Sequence, residues 1–283
     1  MEPDRRPSGP PLPPGPGGVL PLLLSLGLVA FLLVGFLTMG TIIEAVRPGG
    51  FDDPMNLLLV GLVVFPLAIY VGLRVDPAGF DTLRTGLAAG PVRTSTASFG
   101  LAFGLAAVLP VAEIENLMNH LVPRSLEDQT AMLKLIAFDG WLGQLAKVLA
   151  IAVITPIGEE LIFRGIVLRW LRRSYGRLIS ISVSALLFSA AHLSLTSLVG
   201  FFALGLAFAW IADRSHSALP TIGAHAAFNA VPFLFPPDAA DVPGLLPAGT
   251  EEVAHLPPLW VAGSAAVCFV LLYFIWWSTL RRE

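Results

Sequence analysis

Long apolar runs alternate with short polar segments along almost the whole chain. A membrane-spanning helix needs about 20 mostly apolar residues, and by this measure the sequence contains eight candidate spans. The pattern therefore predicts an all-α fold, a polytopic membrane bundle of about eight transmembrane helices. The predicted spans cover residues 19–43, 55–73, 97–121, 141–168, 178–195, 197–212, 217–235 and 258–279.

Polar content divides the chain into five segments. Residues 1–18 are rich in Pro and Gly and predict a disordered cytosolic tail. Residues 19–121 carry the N-terminal transmembrane helices. The polar residues inside spans concentrate in 141–235, which is the predicted catalytic core. An extracytosolic loop at 236–257 and a C-terminal segment at 258–283, with one helix and a short tail, complete the chain.

Composition agrees with a membrane protein surrounded by lipid. Of the 283 residues, 55% are hydrophobic and 13% are charged, whereas soluble domains carry about 25% charged residues. The basic residues flank apolar runs instead of forming a patch, so no nucleic-acid partner is expected. Cys268 is the one cysteine of the chain, which excludes an intrachain disulfide. The sequence sets no oligomeric state.

The distribution of basic residues predicts the orientation in the membrane. Cytosolic segments of membrane proteins carry an excess of Lys and Arg. With the N-terminus inside, twelve basic residues fall in inner segments and three in outer ones. A multi-pass protein of the cell membrane with both termini in the cytosol is therefore predicted. The inner residues are Arg5, Arg6, Arg74, Arg84, Arg93, Arg169, Arg172, Arg173, Arg177, Arg214, Arg281 and Arg282, and the outer ones are Arg47, Arg124 and Lys134.

Three ionisable residues interrupt the fourth predicted span, in the stretch TPIGEELIFRG. A charged group at the middle of a membrane costs roughly 2.5–3.5 kcal/mol on insertion scales, so it persists where it is paired or functional. Glu160 and Arg164 are four residues apart with the acid first, which is the favourable order for an ion pair on a helix. Glu159 points about 100° away around the helix, so we expect it to face a different neighbour.

Two later spans also carry polar side chains. FSAAH places His192 in the fifth span, and HAAFN places His225 and Asn229 one helical turn apart in the seventh. Each of these side chains alone is typical of a hydrogen bond between helices. Together with Glu159 they are suited to activate water and to bind an oxyanion. Their depths predict one pocket in the inner half of the bilayer, open to the cytosol.

These three motifs, in this order, resemble those of the CPBP family of intramembrane proteases. EELIFR at 159–164 matches EExxxR, FSAAH at 188–192 matches FxxxH, and HAAFN at 225–229 matches HxxxN. The family includes type II CAAX prenyl endopeptidases and bacterial bacteriocin-processing and immunity proteins. The resemblance implies an intramembrane endopeptidase that cleaves a peptide or protein substrate near the cytosolic side of the membrane.

The resemblance also implies a role for each site residue. Glu159 activates the attacking water, assisted by His192, and His225 and Asn229 lie at the oxyanion or at a metal ion. The other two residues of the set organise the site. The implied catalytic set is Glu159, Glu160, Arg164, His192, His225 and Asn229.

Two mechanisms and two other functions stay open at this point. Glu159, His192 and His225 would satisfy a catalytic zinc ion with an open fourth position. The same three groups without a cofactor would serve as base, orienting group and oxyanion donor. The alternative functions are a non-proteolytic relative, acting as an immunity factor or scaffold, and a Glu/His proton-coupled membrane transporter.

Overall fold

The fold is known from a computed structural model, and all of its regular structure within the described residues is helical. The predicted all-α class is therefore confirmed. Apart from Gly18, the predicted tail at 1–18 lies outside the part of the chain that is described, as does much of the predicted loop at 236–257. The structure describes residues 18–47, 49–50, 53–76, 92–138, 140–235, 242–246 and 253–280.

The described helices are numbered α1 to α9 in chain order. Five of them, α1, α2, α3, α7 and α9, are long and apolar enough to cross a membrane. Each of the other three predicted spans also lies on a helix, but α6 and α8 have only 14 and 16 residues. The bounds are α1 Leu20–Val46, α2 Pro54–Val75, α3 Thr94–Leu121, α4 Leu126–Ile136, α5 141–172, α6 Arg177–Ala190, α7 Leu198–Ser215, α8 Leu219–Leu234 and α9 Pro258–Leu280.

Helix α5, which carries the two adjacent glutamates, changes its geometry four times along its length. It is α-helical at Trp141–Val148, Thr155–Glu160 and Leu168–Arg172, and π-helical at Leu149–Ile154 and Leu161–Val167. Segments of π-helix are rare and occur frequently at functional sites. The short α-helical turn that contains both glutamates is thus enclosed between two such segments.

Each π-helical segment accepts a hydrogen bond from a neighbouring helix. Asn229 Nδ2 of α8 donates to the Ile151 carbonyl at 2.9 Å. Ser184 Oγ of α6 donates to the Phe163 carbonyl at 3.1 Å. A buried carbonyl needs a partner, so these bonds fix α8 and α6 against α5 on either side of the glutamates.

Helix α6 ends earlier than the apolar pattern predicts, at Ala190 instead of residue 195. Serine side chains hold the chain just after its last turn: Ser189 Oγ donates to the Leu198 carbonyl, and Ser194 Oγ donates to Ser197 Oγ. Local bonds such as that of Ser194 compete with helix formation. The chain therefore leaves the helix as a turn at 191–197, and His192 lies in this turn and not on a helix.

Helix α4 was not predicted, because its 11 residues are amphipathic and too short to span a membrane. Ser125 caps its first turn by accepting a hydrogen bond from the Asp128 amide at 3.0 Å, and Glu127 and Asp128 favour the positive end of the helix dipole. The spacing of Ser125 and Asp128 resembles a helix-start signal that the sequence does contain. A span-length criterion alone overlooks it.

Ion pairs join neighbouring helices at the end of the bundle where α5 leads into α6, which we call the arginine-rich end. Arg173 Nη1 lies 2.7 Å from Asp76 Oδ1, directly after α2. Asp213 of α7 receives both Arg172 Nε at 2.8 Å and Arg177 Nε at 2.7 Å. These pairs hold α2, α5, α6 and α7 in register at this end.

Glycines allow α3 and α8 to pack at very short range. A Cβ atom added to Gly104 of α3 would overlap the carbonyl group of Ala224 on α8. A Cβ atom at Gly100 would lie 2.6 Å from the Pro220 carbonyl oxygen. Small residues at a helix interface let backbones approach closely in membranes. Because Ala224 precedes His225, this contact also positions a candidate site residue.

We expect Gly104→Ala to destabilise the fold, because the new methyl group has no space and overpacking costs about 1–3 kcal/mol. The matched control is Gly27→Ala in α1, where nothing lies within 4 Å of the added Cβ atom. That control should be neutral or stabilising, since alanine is favoured over glycine in a helix by roughly 0.5–1 kcal/mol. Thermal unfolding of the detergent-purified variants measures both, and equal Tm values would contradict the expectation.

Candidate active site

The centre of the candidate site is a fully buried ionic cluster between α5 and α8. Arg164 Nη1 lies 3.1 Å from Glu160 Oε1, and both side chains have no solvent exposure. His225 Nδ1 of α8 lies 3.0 Å from the same carboxylate oxygen. The predicted pairing of Glu160 with Arg164 is thus present. Glu160 is held by a cation of its own helix and by a ring of another helix.

Aromatic rings surround the guanidinium group of Arg164. Its Cζ atom lies 4.4 Å from the ring centroid of Phe188, 5.5 Å from that of Phe208 and 5.9 Å from that of Phe163. Cations are attracted to aromatic faces, and more strongly where water is excluded. The rings replace part of the hydration that Arg164 loses, which is how an arginine with 1% exposure is accommodated.

Glu159 differs from Glu160 in its exposure and in its ionic partners. Its side chain keeps 15% of its exposure, and its Oε2 atom lies 3.8 Å from Nε2 of His225. That oxygen is itself buried and accepts no hydrogen bond from the described residues. The distance to His225 exceeds that of a direct hydrogen bond. Glu159 therefore has a carboxylate oxygen in the site that is not engaged by those residues.

His225 lies between the two carboxylates. Its Nδ1 atom is 3.0 Å from Glu160, and its Nε2 atom faces Glu159. A carboxylate accepts hydrogen bonds, so the Nδ1 atom next to Glu160 is the donor. The ring thus contacts the buried ion pair through Nδ1 and lies next to Glu159 through Nε2.

His192 is oriented by the backbone at the end of α6. Its Nδ1 atom lies 2.9 Å from the Phe188 carbonyl oxygen, which can only accept, so Nδ1 carries the proton. In the neutral ring Nε2 is then a hydrogen-bond acceptor. The ring also packs against Phe201, with centroids 4.5 Å apart. Nε2 of His192 is therefore the hydrogen-bond acceptor of this ring.

Phe188 joins the two histidines of the site. Its ring centroid lies 4.9 Å from that of His192 and 5.8 Å from that of His225. It also contacts the guanidinium group of Arg164. The sequence motif FxxxH includes this residue, but only the structure shows that it supports three charged or titratable groups at once.

The structure brings most, but not all, of the predicted site residues into contact. Glu159, Glu160, Arg164 and His225 form one cluster, and His192 joins it through Phe188. Asn229 instead donates to the backbone of α5 at Ile151. An amide nitrogen carries two hydrogens, so its predicted role at the oxyanion stays a prediction.

The fit of a zinc ion can be judged from the same side chains. Within the described ranges, no three His, Cys, Asp or Glu side chains are grouped as metal ligands. His225 directs Nδ1 to Glu160 and His192 directs Nδ1 to the Phe188 carbonyl, so Nε2 of each ring is the nitrogen that a metal ion would bind. In this conformation the two rings and Glu159 are not gathered into a three-ligand zinc site, and the proposed mechanism uses no metal ion.

Fully buried apolar side chains lie next to the cluster residues along α5. They include Ile162, Ile166 and Val167, all without solvent exposure. Apolar surroundings exclude water and strengthen electrostatic interactions. The predicted opening of the pocket toward the cytosol stays a prediction.

A comparison with known protein families identifies the segment that holds the cluster. Residues 141–231 match the family described as type II CAAX prenyl endopeptidase Rce1-like. Over these residues the chain is similar to that family. The Rce1-like segment covers about a third of the chain, from the start of α5 into α8, and contains every predicted catalytic residue. No curated protein and no solved structure matches the chain.

The match confirms the resemblance that the three motifs indicated. An endopeptidase is a peptide hydrolase, so the chain carries the core of a protease family. Five long apolar helices among the described residues agree with a multi-pass membrane protein. The motif helix, the turn with His192 and helix α8 all fall inside the Rce1-like segment.

We expect Arg164→Met to be strongly destabilising, because it leaves the Glu160 carboxylate buried without its cation. Breaking a buried pair in this way costs about 3–5 kcal/mol. The double variant Glu160→Gln/Arg164→Met removes both charges and should recover most of that stability. Thermal unfolding of the purified variants measures the difference.

The matched control is Arg172→Met at the arginine-rich end. Arg172 is 35% exposed, and its partner Asp213 keeps Arg177. The loss there should stay below about 1 kcal/mol. A double variant as unstable as Arg164→Met alone would show that the cost comes from lost packing and not from an unpaired charge.

Proposed function

We propose that the protein is an intramembrane endopeptidase of the CPBP type, in which Glu159 activates a water molecule for attack on a peptide bond. The observation that carries this proposal is the contrast between the adjacent glutamates. Glu160 is fully buried and paired with Arg164 and His225. Glu159 keeps 15% of its side-chain exposure, and its Oε2 atom lies 3.8 Å from Nε2 of the same histidine, beyond a direct hydrogen bond.

The proposed first step is proton transfer from water to Glu159. Water hydrogen-bonded to Oε2 gives its proton to the carboxylate as its oxygen attacks the carbonyl carbon of the substrate. His192 supports this step, because its Nε2 atom is an acceptor and can orient the second hydrogen of that water. The product of the step is a tetrahedral intermediate with a negative oxygen.

The proposed second step is collapse of that intermediate. The negative oxygen is stabilised by N–H donors aimed at it, for which the candidates are the N–H of Asn229 not used at Ile151 and Nε2 of His225 in its doubly protonated form. The C–N bond breaks as Glu159 returns its proton to the leaving amine. A carboxylic acid and an amine result, and Glu159 is a carboxylate again.

We further propose that the substrate is a peptide or protein segment cleaved in the inner half of the membrane. Glu159 lies nearer the arginine-rich end of α5, at Arg172, than its other end, at Trp141. Arginine-rich segments of membrane proteins remain in the cytosol. The name of the matched family adds a prenylated C-terminal peptide as a candidate substrate class.

Membranes that contain the wild-type protein should release peptide products that are absent with Glu159→Gln, because glutamine cannot accept the proton of the attacking water. Mass spectrometry of the products measures this, with expression matched by immunoblot. Full cleavage by a folded Glu159→Gln variant would sink the proposal.

The same membranes treated with a zinc chelator separate the two mechanisms. Cleavage that persists in chelator is expected for the mechanism above, since no metal ion takes part. Loss of cleavage in chelator, with recovery on adding Zn²⁺, would support the alternative in which Glu159, His192 and His225 bind zinc.

Both termini are proposed to lie in the cytosol, in line with the distribution of arginines. A green fluorescent protein fused after Glu283 should then fluoresce, and an alkaline phosphatase fused at the same place should be inactive in a bacterial host. The reverse result would place the arginine-rich end outside the cell and overturn the proposed orientation.

A further inference from the structure

The turn at 191–197, which carries His192, has an unusual backbone. Leu193 adopts a φ of 53°, in the left-handed region. That region is unfavourable for residues with a Cβ atom and is normally occupied by glycine or asparagine. Such a conformation persists only where surrounding contacts enforce it. The contacts that hold this turn therefore also decide where the adjacent His192 lies.

Two hydrogen bonds attach the turn to the end of α3. Thr196 Oγ1 donates to the Val122 carbonyl at 2.7 Å, and Arg124 Nη2 donates to Ser197 Oγ at 2.7 Å. Thr196 and Ser197 are buried, with 4% and 5% exposure. The turn is thus fixed from outside its own helix, by the segment that leads from α3 to α4.

Arg124 is itself held firmly. Its Nη2 atom lies 2.6 Å from Glu115 Oε2, and the two side chains are only 12% and 14% exposed. Its backbone amide donates to Asn119 Oδ1 at 2.7 Å. Charge-assisted bonds of this kind are stronger than neutral ones, and partial burial reduces their screening by salt. Glu115, Arg124 and Ser197 are called the Arg124 clamp below.

The Arg124 clamp also contacts the first turn of α7. An added Cβ atom at Gly200 would lie 3.4 Å from Glu115 Cγ, so the first turn of α7 packs directly against the carboxylate side chain. Phe201, in that turn, contacts the His192 ring. Movement of the clamp would therefore displace both the backbone that bears His192 and the ring beside it.

We propose that the Arg124 clamp positions His192 for catalysis by holding the turn at 191–197 with Leu193 in the left-handed conformation. Glu115, Arg124 and Ser197 act through His192 and do not touch the reacting atoms, so they are positioning residues. This inference rests on the proposed function, since it assigns a role in that reaction. It adds to the site Glu115 of α3 and Arg124 after that helix, both outside the Rce1-like segment.

The test compares peptide cleavage by purified, reconstituted variants. Arg124→Ala should lower kcat/KM by about 10- to 100-fold, as small misplacements of catalytic groups do. Adding Leu193→Gly to Arg124→Ala should restore most of that loss, because glycine adopts the left-handed conformation without the clamp. The matched control is Arg47→Ala, which breaks an exposed ion pair with Asp53 of similar length and should leave cleavage unchanged.

Rescue by glycine separates positioning from general stability. A clamp that only stabilises the fold would give Arg124→Ala a low Tm and a low activity that Leu193→Gly does not restore. That result, or unchanged cleavage by Arg124→Ala, would overturn the inference.

A second readout does not depend on proteolysis. Hydrogen–deuterium exchange of the amides at 191–198 should be several-fold faster in Arg124→Ala than in the wild type, and unchanged in Glu159→Gln. Unchanged exchange in Arg124→Ala would show that the clamp does not hold the turn at 191–197, even if the protein is a protease. Full cleavage by Glu159→Gln, together with faster exchange in Arg124→Ala, would instead refute the proposed function and retain the clamp as a structural device.

Discussion

The buried pairing of Glu160 with Arg164 is the interaction on which the rest of the candidate site depends. Two opposite charges 3.1 Å apart without any solvent exposure are tolerated because each compensates the other. Phe188 and Phe208 line the guanidinium group, and His225 adds a hydrogen bond to the carboxylate. With Glu160 paired in this way, the adjacent Glu159 is left for chemistry.

Close packing of α3 and α8 places α8 next to this pair. Gly104 and Gly100 on α3 allow α8 to approach within backbone contact. Asn229 then bonds to Ile151 in one π-helical segment of α5, while His225 reaches Glu160 between the two segments. Helix packing, backbone irregularity and side-chain chemistry thus act at the same point of the fold. This agrees with the tendency of π-helical turns to occur at functional sites.

The sequence predicted the fold class and the ion pair, because both depend on local rules. Apolar runs of sufficient length indicate membrane helices, and the spacing of Glu160 and Arg164 places them on one face. The early end of α6 depends on hydrogen bonds from Ser189 and Ser194, which hydropathy does not register. The bond of His225 to Glu160 was not predicted from the sequence, because each π-helical segment changes the rotation of α5 from that of a regular α-helix.

Contacts between residues far apart in the chain were also not predicted, because no local sequence pattern marks them. Arg124 and Ser197 are 73 positions apart, and no periodicity links them. The Rce1-like match covers the segment with the motifs but not the end of α3. Residues that support a site from outside its motifs therefore emerge only when the packed structure is considered.

The two adjacent glutamates have separate tasks in the proposed site, and one paired measurement distinguishes them. Tm and cleavage rate are measured on the same preparations of Glu159→Gln and Glu160→Gln. We expect Glu159→Gln to lose cleavage with a Tm close to that of the wild type, whereas Glu160→Gln should lower Tm because Arg164 is left without its partner. A Glu159→Gln protein that cleaves at the wild-type rate, or that unfolds as readily as Glu160→Gln, would contradict this expectation.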